Sequence, residues 1–301
     1  MRTVLLAGSS HPSLSKSLAQ ELGVGLGNCS IVKFPDGECD VQVAENVRGA
    51  DVFLVQSLHA PVGEYLLELA LMTDACHRAG AARVTAVVPY LGYARHDRRE
   101  TGQEPLGARV MAELLSASRV ERLICLDLHS AAVEGCFPQP VEHVSAVPVL
   151  VEALRAKLPK NSVVISPDLG AVKRAELFAR PLGLNVAVVH KQRLSGSEVQ
   201  AQGVVGEVAG CHAIVVDDMI STGGTLVAAV NAVVAAGAQK SVTVVASHGL
   251  FVGPASERLA SVSLTRVIVS DSLPGPINPS FPLERVSCAP VLAAVIRRLT
   301  A

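Results

Sequence analysis

The chain contains no tryptophan, and aromatic residues make up only 3% of its 301 positions. That scarcity argues against reading nucleic acid by stacking bases on an aromatic platform. Charge is sparse and balanced, with 26 Lys and Arg against 27 Asp and Glu and a formal net charge of -1. There is thus neither a basic sheath for a polyanion nor an acidic tail. Cysteine is present but unpatterned: the seven, at positions 29, 39, 76, 125, 136, 211 and 288, include no Cys-x-x-Cys. An odd set of scattered thiols fits a reducing cytoplasm rather than a disulfide framework or a zinc site. No apolar run reaches the length of a membrane span, and the apolar start at residues 1–7 is too short for a signal peptide. The expectation is a cytoplasmic chain that engages neither nucleic acid nor membrane. A Gly-x-x-x-x-Gly-Lys-Ser/Thr segment is also missing, so any nucleotide must be held in another way.

Half of the residues are hydrophobic, and they are chiefly Val, Ala, Leu and Ile. This is the composition of buried parallel strands covered by Ala-rich helices. The length allows two domains, each with its own core. Runs of β-branched residues predict strands at residues 4–7, 52–56, 84–89 and 123–126, and again at 163–166, 186–190, 213–216, 242–247 and 266–269. Helical patterns fall between them at residues 14–22, 63–79, 107–116, 147–157, 226–236 and 290–299. Such alternation predicts an α/β protein with parallel sheets. One stretch also echoes another. Residues 52–57, a helix, Ala79-Gly80-Ala81 and residues 84–88 are matched by residues 213–218, a helix, Ala236-Gly237-Ala238 and residues 242–245. Each Ala-Gly-Ala is expected to end its helix with a left-handed glycine. Two related domains follow, at residues 1–143 and 144–301, with the boundary in the proline-containing and polar stretch 138–146.

The densest chemistry lies in Asp217-Asp218-Met219-Ile220-Ser221-Thr222-Gly223-Gly224-Thr225. Two adjacent acids end a strand, a small hydroxyl- and glycine-rich loop follows, and a helix begins. Glycines let the backbone approach a phosphate, and N–H groups at a helix start carry partial positive charge. The acids can accept hydrogen bonds from neighbouring sugar hydroxyls or face a hydrated metal. A plain strand, turn and helix would explain the loop but not two costly acids at a strand edge.

This segment resembles the signature loop of the phosphoribosyltransferase fold. Further segments narrow the resemblance to the ribose-phosphate diphosphokinases, also called phosphoribosyl diphosphate synthases. They are Phe34-Pro35-Asp36-Gly37-Glu38, Tyr93-Ala94-Arg95-His96-Asp97-Arg98-Arg99, Asp127-Leu128-His129-Ser130, Ser166-Pro167-Asp168-Leu169-Gly170, Lys191-Gln192-Arg193 and Ser247-His248-Gly249. They keep the family's order from near residue 4 to near residue 299. The resemblance implies two tandem phosphoribosyltransferase-like (Rossmann-like) domains with mainly parallel sheets.

The same resemblance implies transfer of the diphosphoryl group of ATP to ribose 5-phosphate. Phe34, Asp36, Glu38, Arg95, His96 and Asp97 would bind ATP. Asp217, Asp218, Ser221, Thr222, Gly223, Gly224 and Thr225 would bind ribose 5-phosphate. His129 and Asp168 would serve Mg²⁺, and Lys191 and Arg193 would act in catalysis. It also implies a homo-oligomer built from dimers. Two other activities share parts of this pattern: a transferase that consumes phosphoribosyl diphosphate, and a non-catalytic regulatory homologue. The first would not need the Phe34–Glu38 or Asp127–His129 segments, and the second tends to lose the loop cations and sugar-site acids present here.

The chain departs from the family at several positions. His96 replaces a usual Gln, Ser221 an Asp found in many members, and Ala171 a Gly. Gly80 and the stretch Glu100-Thr101-Gly102-Gln103 replace residues of a regulatory site. Regulation by ADP and phosphate is therefore expected to be weak or lost.

Overall fold

The computed structural model describes residues 1–99, 101–193, 199–276 and 278–301, and gives only backbone at 191–193 and 199–202. In chain order its elements are β1 (Thr3–Ala7), α1 (Pro12–Leu22), β2 (Cys29–Lys33), β3 (Cys39–Val43), β4 (Asp51–Val55), α2 (Val62–Arg78), β5 (Arg83–Val88), α3 (Gly107–Ala117) and β6 (Arg122–Leu126). A 3-10 helix (Ala131–Cys136), β7 (Val141–Val144), α4 (Val147–Arg155), β8 (Ser162–Ser166), α5 (Val172–Leu182), β9 (Val186–Arg193) and β10 (Val199–Val205) follow. The chain continues with β11 (His212–Ile220), α6 (Gly224–Ala235), β12 (Val242–Gly249), α7 (Ala255–Ala260), β13 (Leu264–Ser270), β14 (Leu283–Val286) and α8 (Ala289–Thr300).

Two compact units result. The first holds Met1–Ser145, Ser272–Pro274 and Ser287–Ala301, and the second holds Ala146–Asp271 and Gly275–Val286. The C-terminal residues thus cluster with the first unit, whereas a cut after residue 143 would leave them with the second. Helix α8 packs on α1 and β7. Its Arg297 donates to the Glu21 carbonyl, and Arg298 pairs with Glu142 at 3.3 Å.

The first unit has a parallel sheet in the order β1-β4-β5-β6-β7, beside the antiparallel hairpin β2-β3. The second has β10-β9-β8-β11-β12-β13-β14, parallel throughout except where β10 returns along β9. Central strands are buried on both faces, as continuous β-branched runs require: every residue of β4 and β12 is buried. Val52 and Leu54 of β4 join Val84, Ala86, Leu69 and Met72 in one core. Val163, Ile165, Val215, Val244 and Val233 lie in the core of the second unit. Each such Val or Leu contributes about 1.5–3 kcal/mol by leaving water.

The internal echo appears as equivalent places in the two sheets. Strand β4 lies between β1 and β5, as β11 lies between β8 and β12. Both Ala-Gly-Ala stretches cap their helices with a left-handed glycine, Gly80 at φ 85° and Gly237 at φ 94°. The following amides then close back on the helix, Ala81 N–H on the Cys76 carbonyl and Ala238 N–H on the Val233 carbonyl, each at 3.0 Å. Even the partner of β8 on its other side has a remnant in the first unit, where Leu26 bridges Leu5 of β1.

The first unit differs at its carboxyl edge, where it holds a buried polar knot. Glu68 of α2 accepts from the Ser9 N–H at 2.7 Å, the Ser9 hydroxyl at 2.5 Å and the Gln56 amide at 2.7 Å. Gln56 in turn accepts from the Ser10 N–H at 3.1 Å. Gly8 permits this approach, since a Cβ there would lie 2.3 Å from Gln56 Oε1 and 2.9 Å from Glu68 Oε1. Gly8→Ala is therefore expected to destabilise the protein by about 1–3 kcal/mol, through overpacking. Urea unfolding measures it, and an unchanged midpoint would contradict the knot's rigidity.

Candidate functional site

In the second unit, β8 has parallel neighbours on both sides, β9 reached by one crossover and β11 by the return on the other side. At such a switch point the connections diverge and a crevice opens beyond the carboxyl ends of the strands. The carboxyl end of β8 leads into Asp168. Its Oδ1 accepts from the Gly170 and Ala171 N–H groups at 3.0 and 3.1 Å, and the Ser166 hydroxyl donates to the Asp168 carbonyl at 2.6 Å. The carboxylate is thereby held by its own turn.

Strand β11 does not stop at its acids. It runs on to Ile220 because β12 continues beside it, pairing Met219 with His248 and Ile220 with Gly249. Its pairing with β8 ends at Ile165 and Val215. Asp217 and Asp218 therefore lie along a strand whose β8 neighbour has already ended. Asp218 is buried and Asp217 partly so, and the Asp218 N–H donates to Asp217 Oδ1 at 2.8 Å. Loss of water and the charge of Asp218 push Asp217 up to about 7, with Asp168 acting in the same direction.

The loop Ser221–Gly223 connects this strand to α6. Gly223 sits at φ 75°, a left-handed conformation that suits glycine, and α6 starts without a capping side chain. Its first N–H groups are those a helix leaves for an external acceptor. The loop is fixed from outside. The Arg258 guanidinium donates to the Thr222 carbonyl at 3.1 Å, and the Val252 N–H to the Ser221 carbonyl at 3.1 Å. Sequence reasoning passed over Arg258, which no motif marks. Lys191 and Arg193 belong to the backbone of β9, and their side chains lie outside the described residues.

In the first unit, Arg95, His96, Asp97 and His129 line one cavity of about 620 Å³, completed by Arg98, Glu104, Pro105 and Ser130. Arg98 and Ser130 belong to the same two motifs; Glu104 and Pro105 carried no signal of their own. The cavity wall is tightly built, since a Cβ on Gly107 would come within 2.9 Å of the His96 Cβ. Phe34, Asp36 and Glu38 lie at the β2-β3 turn instead and are not among the lining residues. Phe34 is 48% exposed, and the turn is closed by the Phe34 N–H on the Glu38 carbonyl at 2.8 Å and the Glu38 N–H on Asp36 Oδ1 at 3.1 Å. Of the two residues expected to serve a metal, His129 stands in the first unit and Asp168 in the second. Among the described residues no group of three or more His, Cys, Asp or Glu could hold a metal ion.

Taken together, a doubly wound parallel sheet, a glycine-rich helix start at its switch point and a paired-acid strand edge define an α/β enzyme of the phosphoribosyltransferase type. Comparison with known proteins narrows this further. A family model described as the N-terminal domain of ribose phosphate pyrophosphokinase matches residues 3–118, and a phosphoribosyl synthetase-associated domain matches residues 195–301. The chain is 42% identical over 296 residues to the ribose-phosphate pyrophosphokinase of Aquifex aeolicus, covering 98% of this chain and 95% of that protein. It is 41% identical over 300 residues to that of Vibrio parahaemolyticus, with the same coverage. Among solved structures it resembles the phosphoribosylpyrophosphate synthetase of Mycobacterium smegmatis at 38% identity and a TM-score of 0.90, covering 100% of this chain and 99% of that one. The chain belongs to the ribose-phosphate pyrophosphokinase family.

The shift at Asp217 has a sign that can be measured. Its folded-state value lies above the ordinary 3.8. The stability compatible with this carboxyl is therefore full below 3.8 and is lost as pH rises through about 7. Asp217→Asn is expected to stabilise the ligand-free protein at pH 8 by on the order of 1 kcal/mol. The gain should shrink as pH falls toward 4. Thermal melts at both ends of that range test it, and a gain independent of pH would exclude the assignment.

Proposed function

We propose that the protein transfers the diphosphoryl group of ATP to the 1-hydroxyl of ribose 5-phosphate, yielding phosphoribosyl diphosphate and AMP. The observation that carries this reading is the acid pair Asp217 and Asp218 at the switch point, beside a helix start that lacks a capping side chain. A sugar phosphate needs both: acceptors for adjacent hydroxyls and a cradle of N–H donors for its phosphate. In this reading Asp217 and Asp218 take the 2- and 3-hydroxyls. Ser221, Thr222, Gly223, Gly224 and Thr225 surround the 5-phosphate, with backbone N–H groups and the hydroxyls of Ser221, Thr222 and Thr225 as donors.

The nucleotide belongs to the first unit. Arg95 places a fixed positive charge in the cavity for the phosphates of ATP, with His96, Asp97 and His129 lining the same wall. Phe34 offers a ring for the adenine, and Asp36 and Glu38 offer acceptors for its amine or for the ribose. Family membership points to a metal, and we assign Mg²⁺. The donor chemistry fits it: Asp168 gives a hard oxygen held by two N–H groups. Asp168 and His129 would hold it or its waters. When bound, Mg²⁺ neutralises charge on the phosphate oxygens.

The 1-hydroxyl oxygen attacks the β-phosphorus of ATP and its proton passes to solvent. The bond from the β-phosphorus to the oxygen bridging the α-phosphorus breaks, and AMP leaves with that oxygen. Little covalent work falls to the protein in such a transfer, which is driven by alignment and charge stabilisation. The unshared role left to Lys191 and Arg193 is to neutralise the diphosphoryl group as it moves. We further assign the protein to the cytoplasm and to a homo-oligomer built from dimers, on the strength of the same family membership.

A coupled assay for AMP release with ATP, Mg²⁺ and ribose 5-phosphate tests the reaction. Sugar-dependent AMP is expected, and its absence would favour a regulatory or product-consuming homologue. Asp217→Asn combined with Asp218→Asn is expected to abolish turnover through loss of ribose 5-phosphate binding, so unchanged sugar affinity in a direct binding titration would reject the roles given to these acids. Lys191→Ala should lower kcat by roughly 10³-fold, as loss of a transition-state cation does, with little change in KM for ATP. An effect on KM alone would place Lys191 in ground-state binding instead.

A further inference from the structure

His129 is carried by a short loop between β6 and the 3-10 helix, and that loop is unusual at its base. Asp127 has φ 37°, a left-handed backbone for a side chain that is itself buried. Its N–H extends the β6-β7 ladder to the Val144 carbonyl at 2.8 Å, and its Oδ1 accepts from the Ser145 hydroxyl at 3.0 Å. The next amide turns away from the sheet. Leu128 N–H donates to Nε2 of His143, on β7, at 3.0 Å. A backbone N–H can only donate, so Nε2 must be bare and the ring proton must sit on Nδ1. Nδ1 lies 2.9 Å from Oε1 of Glu134, on the 3-10 helix that follows the loop. The carboxylate therefore selects the one tautomer that can hold the Leu128 amide. In this way His143 joins three consecutive pieces of chain: the strand β7, the residue preceding His129 and the helix following it.

We infer that His143, held in a single tautomer by Glu134, is a positioning residue for the nucleotide site: it fixes the Leu128 amide and so aims His129 into the cavity. The inference rests on the reading that His129 serves the ATP phosphates or their metal. His143 itself is not a lining residue of that cavity, so it acts through the backbone. Partners bonded directly to a metal-ligating histidine typically matter about 10–100-fold; His143 acts one backbone link further out, so the lower end of that range is expected. The residues assigned to the sugar all belong to the second unit and the 127–130 loop to the first, so the effect is expected on ATP rather than on ribose 5-phosphate.

The test uses the full chain and a graded series. His143→Leu keeps bulk but removes the acceptor; His143→Gln restores an acceptor oxygen at nearly the Nε2 position. Glu134→Gln still accepts from Nδ1–H, whereas Glu134→Ala frees the ring to adopt the wrong tautomer. Hydrogen exchange of the 127–130 segment should accelerate in His143→Leu and Glu134→Ala and stay near wild type in the two amide variants. ATP affinity, measured by calorimetry, should fall roughly tenfold in His143→Leu, less in Glu134→Ala, and recover in His143→Gln. The KM for ribose 5-phosphate should not move. His129→Ala is the reference. If it weakens ATP binding while His143→Leu and Glu134→Ala do not, the positioning role is wrong. If His129→Ala itself leaves ATP binding intact, the reading of His129 has failed and this inference falls with it. Should His143→Leu not fold, Glu134→Ala, altered at a half-exposed side chain, carries the same test, and wild-type exchange at 127–130 in that variant would overturn the proposal.

Discussion

The rest of the structure depends on where β8 stops. A parallel sheet directs all its carboxyl ends to one edge, and a crossover to either side of a strand leaves the adjoining edge uncovered. Here β8 makes its last pairing with β11 at Val215, while β11 runs on beside β12 to Ile220. The acids stand two and three residues past that last pairing. Had β8 been longer, the backbone at Asp217 would be paired on both sides. Because it is not, the strand presents a destabilised carboxyl next to a helix start without a cap. Together they are the two features on which the proposed sugar-phosphate site is built.

Much of this was legible in the sequence because it rests on local pattern. The buried central strands announce themselves as β-branched runs, and the ends of α2 and α6 are marked by Ala-Gly-Ala. Other elements left weaker signals. Helix α5 buries only Ala175, Phe178 and Ala179 and carries Pro181 in its last turn, so its apolar stripe is narrow and its composition reads as loop. The hairpin β2-β3 exposes most of one strand, so no run of buried residues announces the chain reversal at Asp36-Gly37. The continuation of β11 past its acids was hidden because a glycine-rich loop reads as the end of a strand, whereas the pairing that extends it comes from β12, far along the chain. The same limit applies at the site. Motif reasoning found Arg95 and His129, which line one cavity. It could not find Arg258 or His143, whose roles are set by backbone groups they reach only after folding.

The two units are built to one plan yet treat electrostatics differently. The second leaves the pKa of Asp217 raised by burial and by the neighbouring charge of Asp218. The first lines its cavity with Arg95, Arg98 and two histidines against Asp97 and Glu104, a mixed wall on which no single charge dominates. Strain of this sort is tolerated at binding sites because the surrounding sheet is stable enough to hold it.

The knot around Glu68 gives the internal echo a further meaning. A module can part with a ligand either by eroding the donors that held it or by keeping donors and furnishing its own acceptor. The first unit shows the second arrangement, with the Glu68 side chain accepting from Ser9 and Gln56 at its carboxyl edge. Free energy that one copy reserves for a visitor is, in the other, built permanently into the fold. The Glu68 side chain meets the donors at that corner from within the fold, whereas the second unit's corner is the one we assign to a substrate phosphate. One copy has become the frame and the other the vessel, and a single buried glutamate is enough to tell them apart.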